Sequence, residues 1–261
     1  MKLVTHFIAG YPSLEASFET AKGLIDGGAY ALEMQIPFSD PSADGPVIEL
    51  ACRKSLEAGF RVEQGFELVE RIRAYADIPV FIMSYSAIVF NMGVEQFSQR
   101  AVAVGASGLI IPDLTPGADE GLYEAGRKAG RQAGLQAGRQ APFSVIPVVV
   151  PGVTEERLDE IMIEKPGWVY LALRSGITGS YTELDEENIG FLDRLKKYDV
   201  NIMAGFGIRT PEQVATLKAH CDAAIAGSFI VNKVTEASTE DSDGSIIYWA
   251  SVNAVKYLLG E

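Results

Sequence analysis

The chain has 261 residues, 48% of them hydrophobic, with a formal net charge of −13, two cysteines and two histidines. That acidity excludes a nucleic-acid surface, which needs basic groups to neutralise phosphates, but not a small anionic ligand held by one well-aimed loop. Apolar runs are short and broken by proline, as in "VIPVVVPGV", so no transmembrane span is expected.

In chain order, strand-like runs recur at residues 3–9, 30–36, 79–85, 107–113, 144–150, 168–174, 201–207 and 223–229. Each is short, rich in β-branched or aromatic residues, and bounded by Gly, Pro, Asp or Asn. The first follows the N-terminus directly, without the n-region, h-region and cleavage site of a signal peptide. With Cys52 and Cys221 far apart in sequence, a disulfide framework is not expected and a cytoplasmic location is. Between the strands lie stretches of helical spacing, among them "SLEASFETAKGLIDGG", "GFELVERIRAYA", "TEERLDEIMIE" and the last, "SIIYWASVNAVKYLL". Thr154 and Thr210 stand where N-caps belong, each followed by acids. Eight near-continuous apolar strands alternating with helices describe a parallel sheet covered by helices. Closing eight such units gives a (β/α)8 TIM barrel, and 261 residues suit one such domain over the whole chain. An open doubly wound sheet fits less well, because no GxGxxG follows the first strand.

Residues 125–140 break the rhythm, reading AGRK-AGRQ-AGLQ-AGRQ. The expectation is a tandem duplication that lengthens the fourth helix or its exit loop before strand five. The alternatives are a docking strip of small residues and a basic patch of Arg127, Lys128, Arg131 and Arg139.

In a barrel of this kind the chemistry sits at the C-terminal ends of the strands. The second strand runs into "EMQIPFSDPSADGP", residues 33–46, crowded with acids and prolines. Glu33, with Leu32 and Met34 as its alternating neighbours, is expected to point into the barrel, where a partly desolvated carboxylate suits acid–base work; the alternative is a buried structural acid paired with a base. Asp40 and Asp44 follow in the loop over the mouth; at Asp40, after Ser39, an Asx turn role competes evenly with a functional one, whereas at Asp44, before Gly45-Pro46, the two can coexist. Across the mouth, "RSGITG" (174–179), "AGFGI" (204–208) and "AGS" (226–228) end three consecutive strands. Their glycines admit a ligand to the backbone N–H groups, and Ser228 adds a hydroxyl, so a phosphorylated ligand is expected. His6 lies in the first strand and could face the pocket, but a packed or surface histidine is the expectation. Neither histidine is spaced with Cys or acids for a metal, and no lysine sits late in a strand for Schiff-base chemistry.

"PFSDPSADGP", with "RSGITG", "GFGI.TPEQV" and "AGS" in the same order, resembles the tryptophan synthase alpha subunit family over essentially the whole chain. The resemblance implies a (β/α)8 barrel that cleaves indole-3-glycerol phosphate by a retro-aldol reaction without metal or organic cofactor. It also implies a beta-subunit partner in an α2β2 assembly, with PLP confined to that partner. By motif, Glu33 and Asp44 match the catalytic pair, and Tyr170 a residue close to substrate. Thr178 matches one that meets the catalytic aspartate, and Gly179, Gly207, Gly227 and Ser228 match the phosphate cradle. Asp40 and Pro41 fall in the loop that faces the partner. The chain departs from the family in its short lead into the first strand, in Tyr85-Ser86-Ala87 where Tyr-x-Asn is usual, in "VPGVT" after strand five, and in the repeat.

Overall fold

The computed structural model describes residues 1–137, 143–173, 186–205, 207–239 and 244–261. Its strands are β1 (Lys2–Ile8), β2 (Ala31–Gln35), β3 (Val80–Met83), β4 (Gly108–Ile110), β5 (Ser144–Ile146), β6 (Val148–Val149), β7 (Trp168–Ala172), β8 (Asn201–Gly205) and β9 (Ala223–Ala226). All pair in parallel, in the order β5-β4-β3-β2-β1-β9-β8-β7-β6. The fifth expected strand appears as two because Pro147 stands in its middle and has no N–H to give a ladder. Before the proline, β5 pairs with β4; after it, β6 pairs with β7. The Pro147 carbonyl still accepts a hydrogen bond of 2.9 Å from the Tyr170 N–H. The two ends of the sheet are thus consecutive pieces of one stretch, and the sheet rolls into a barrel with its seam at Pro147.

Strand parity divides the core. Leu3, Phe7, Leu32, Met34, Ile82 and Leu109 belong to the large apolar layer between strands and helices, whereas Val4, Ala31, Phe81, Ile110, Met203 and Ile225 form a separate cluster inside the barrel. Because successive strand side chains alternate faces, His6 follows Val4 to the inside, and Glu33 and Gln35 follow Ala31.

The helices are set by local chemistry. Ser13, Thr154 and Thr210 cap theirs with side-chain oxygens, and Gln213 Oε1 in turn accepts from the Thr210 N–H to complete a capping box. Helices Pro46–Glu57, Ser86–Met92 and Ser228–Ser238 were not expected from periodicity. In none of them does the N-cap residue, Gly45, Tyr85 or Gly227, cap the helix with its own side chain.

Helix Leu122–Ala137 carries the repeat as far as residue 137. A Cβ on Gly126 would stand 2.6 Å from Val145 Cγ2, and one on Gly130 would stand 3.0 Å from Phe143 Cβ. Small residues at these two positions let the helix lie against β5 and the residue before it. Arg127 and Lys128 are engaged in ion pairs with Glu164 and Glu95. Arg139 lies outside the described residues. At the N-terminal ends of the strands, a cavity of about 1010 Å³ is bordered by Tyr30, Phe81, Phe143 and Trp168. It lies at the opposite end of the barrel from the carboxylates.

Candidate active site

The C-terminal end of β2 delivers two of the polar residues directly, and the loop behind it delivers a third. Glu33 and Gln35 are buried in the barrel interior. The chain then turns, with the Asp44 N–H donating to the Pro41 carbonyl at 2.9 Å, and enters helix Pro46–Glu57 through Gly45. This turn and the helix start fix Asp44 over the mouth, at 8% exposure. Its Oδ2 accepts hydrogen bonds from Gln35 Nε2 and from the Tyr85 hydroxyl, both at 2.8 Å. The Tyr85 oxygen in turn accepts from the Ala43 N–H at 3.1 Å, tying the loop to the segment after β3. Burial raises the Asp44 pKa, against the lowering pull of His6, Tyr85 and Gln35. Burial and the Asp44 carboxylate push the Tyr85 phenol up, so it stays a donor at neutral pH.

Glu33 has one close partner. His6 lies opposite it in the β1–β2 register, and its Nδ1 is 3.1 Å from Glu33 Oε1, both side chains being almost fully buried. Burial alone would lower the His6 pKa, but the Glu33 carboxylate, helped by Asp44 and Gln35, reverses the sign and raises it. His6 Nε2 and Glu33 Oε2 have no hydrogen-bond partner among the described residues.

The other side of the mouth is built from backbone. Gly207, after β8, has φ +76°, a left-handed conformation that favours glycine. Gly227 is the N-cap of helix Ser228–Ser238, which places the buried Ser228 at the helix N-terminus, where N–H groups are free for an anion. Tyr170, in β7, has its phenol pKa pushed up by burial and by the two carboxylates.

These pieces meet. Glu33, Asp44, Tyr170, Gly207, Gly227 and Ser228 line a single pocket with about 100 Å³ of open space, and His6 lines it too. The expectation that His6 merely packs or lies at the surface is therefore corrected: it is buried, but in the pocket wall and against Glu33. Gln35 and Tyr85 are polar residues that sequence reading did not single out for the site, and His6 is one that it set aside. Gln35 shares the parity of Glu33, which is a usable signal, whereas the His6 pairing depends on a cross-strand register that no local pattern displays. Thr178 and Gly179 lie outside the described residues. Asp40 is exposed on the rim and accepts a 2.5 Å hydrogen bond from the Ser39 hydroxyl, while Pro41 is buried. Among the described residues there is no group of three or more His, Cys, Asp or Glu that could hold a metal ion.

Comparison with known proteins agrees with this architecture. The family model described as "Tryptophan synthase alpha chain" matches residues 1–256. The tryptophan synthase alpha chain of Helicobacter hepaticus is 37% identical over 246 residues, covering 92% of this chain and 88% of that one. That of Alkaliphilus metalliredigens is 38% identical over 240 residues, with 92% and 85% covered. Among solved structures, the tryptophan synthase complex of Pyrococcus furiosus superposes with a TM-score of 0.84 at 25% identity, covering 100% of this chain and 98% of that one. Tryptophan synthase of Mycobacterium tuberculosis gives 0.83 at 28% identity, with 99% and 91% covered.

Proposed function

The chain belongs to the tryptophan synthase alpha chain family, and from that premise we infer that it is the lyase of a two-subunit synthase. It cleaves indole-3-glycerol phosphate to indole and glyceraldehyde 3-phosphate, one step of tryptophan biosynthesis. The observation that carries this reading is the meeting of two buried carboxylates, Glu33 and Asp44, with the glycine-rich ends of β8 and β9 in one pocket.

Cleavage of the bond between indole C3 and the glycerol chain requires a proton at C3 and the loss of one from the adjacent hydroxyl. Protonating C3 makes the ring nitrogen acidic. Asp44, held by Gln35 and Tyr85, accepts a hydrogen bond from that N–H and stabilises the positive charge that develops there. Glu33, protonated at the start, gives its proton to C3 and, now a carboxylate, takes the hydroxyl proton as the C–C bond breaks. The bonding electrons return to the ring, the alcohol becomes the aldehyde, and Glu33 ends as it began. Two carboxyls in different surroundings thus divide the work. Gly207, Gly227 and Ser228, with Gly179, hold the phosphate through N–H groups and a hydroxyl, and Tyr170 borders the indole.

No metal or organic cofactor enters these steps; PLP belongs to the beta subunit. That partner docks over the mouth, where the loop bearing Asp40 and Pro41 meets it, in an α2β2 assembly. A cytoplasmic enzyme fits the two free thiols, Cys52 and Cys221, and no helix among the described residues is long and apolar enough to cross a membrane. The test is Glu33→Gln. General acid–base groups contribute about 10²- to 10⁴-fold, so indole formation should fall by at least about 100-fold while the protein stays folded. Near-wild-type turnover would remove Glu33 from the mechanism.

A further inference from the structure

We propose that His6 is a positioning residue for the cleavage: its Nδ1–H holds one oxygen of Glu33 so that the other oxygen faces the substrate. The proposal rests on the lyase reading above and adds to it a residue that the carboxylate pair alone does not require.

Several observations converge. His6 and Glu33 are opposite one another in the β1–β2 register, and the 3.1 Å contact uses Nδ1 and Oε1 alone. Glu33 Oε2 is left without a hydrogen-bond partner among the described residues, inside a pocket that both side chains line. A carboxylate with a single anchored oxygen and a single open one is oriented for proton transfer at the open oxygen. Without that anchor the side chain has three rotatable bonds, and acid–base catalysis depends on placement within hydrogen-bond reach. β1 also lies between β2 and β9 in the sheet. A Cβ on Gly227 would stand 3.6 Å from His6 Cβ, so the histidine sits between the catalytic carboxylate and the phosphate cradle. His6 faces Glu33 from β2 and Asp44 from the following loop, while Ile225 of β9 and the following Gly227 and Ser228 reach the same pocket. A substrate phosphate would bring a negative charge to that side of the pocket.

Two measurements test it together. Steady-state cleavage of indole-3-glycerol phosphate is compared for wild type, His6→Leu and His6→Asn, and ¹⁵N NMR of the wild-type imidazole reports its protonation. His6→Leu should lower kcat by roughly 10- to 100-fold with little change in KM, and His6→Asn, whose amide N–H reproduces the Nδ1 donor, should recover most of the loss. Nδ1 should carry a proton at neutral pH, and the imidazole pKa should drop in Glu33→Gln. Undiminished kcat in a folded His6→Leu variant would overturn the proposal, as would equal loss in Leu and Asn variants. If His6→Leu does not fold, an unprotonated Nδ1 in the wild type overturns it and a protonated one coupled to Glu33 upholds it. Failure of the wild type to release indole, with the Nδ1 signal as expected, would instead count against the lyase reading.

Discussion

At Asp44 the demands of stability and of chemistry oppose each other. The carboxylate is buried, and burial raises its pKa even though Gln35 and Tyr85 both donate to it. A group whose folded pKa lies above its unfolded one contributes stability that is fully present below the unfolded pKa and is lost as pH rises through the folded pKa. Asp44→Asn removes that loss. The variant should melt like wild type in acid and about 2–4 °C higher near neutral pH, the size of a roughly 1 kcal/mol gain, while indole formation falls by at least about 100-fold. Thermal melts across pH check the first part, and a wild type that is the more stable protein at neutral pH would contradict it. Much of this residue-level picture was legible beforehand. Glu33 was readable because alternation with Leu32 and Met34 fixes its face, and the turn-rich stretch after it flagged Asp44. His6 was not, because a lone histidine in a strand carries no pattern and its partner lies across a register set by the whole sheet.

The elements were legible where they carry their own signals and obscure where tertiary contacts supply them. Thr154 and Thr210 advertise their helices through caps that form as expected. Helix Pro46–Glu57 has only Gly45 and Pro46 at its start, inside a stretch that reads as loop. Pro147 divides one expected strand into β5 and β6 without changing the number of staves, since the flanking pairings remain parallel to β4 and β7. The repeat helix gives a direct test of what its glycines do. On propensity alone, Gly→Ala in a helix interior should stabilise by about 1 kcal/mol. At Gly126 the new Cβ would meet Val145 Cγ2 at 2.6 Å, so Gly126→Ala should instead destabilise by about 1–3 kcal/mol through overpacking. In helix Glu186–Leu195, Gly190 has nothing within 4 Å among the described residues, and Gly190→Ala should stabilise by about 0.5–1 kcal/mol. Urea denaturation of both variants would show opposite shifts in midpoint; shifts of the same sign would mean that the docking of helix Leu122–Ala137 on β5 is looser than its geometry indicates.

At the scale of the whole molecule, closing the sheet is what makes a site. β1 and β2 bring His6 and Glu33, β7 brings Tyr170, and the ends of β8 and β9 bring the glycines; only rolling the sheet puts them around one pocket. Closure is a nonlocal property, so strand count and the order of the motifs pointed to it while the Pro147 seam had to be seen. The most direct measurement of the central claim is indole release from indole-3-glycerol phosphate by the purified chain, alone and with a tryptophan synthase beta subunit. Slow release alone and a large increase with the beta subunit is the expected result, as closure of a mouth by a partner completes a catalytic constellation. No release in either condition, from a chain shown to be folded, would contradict the account.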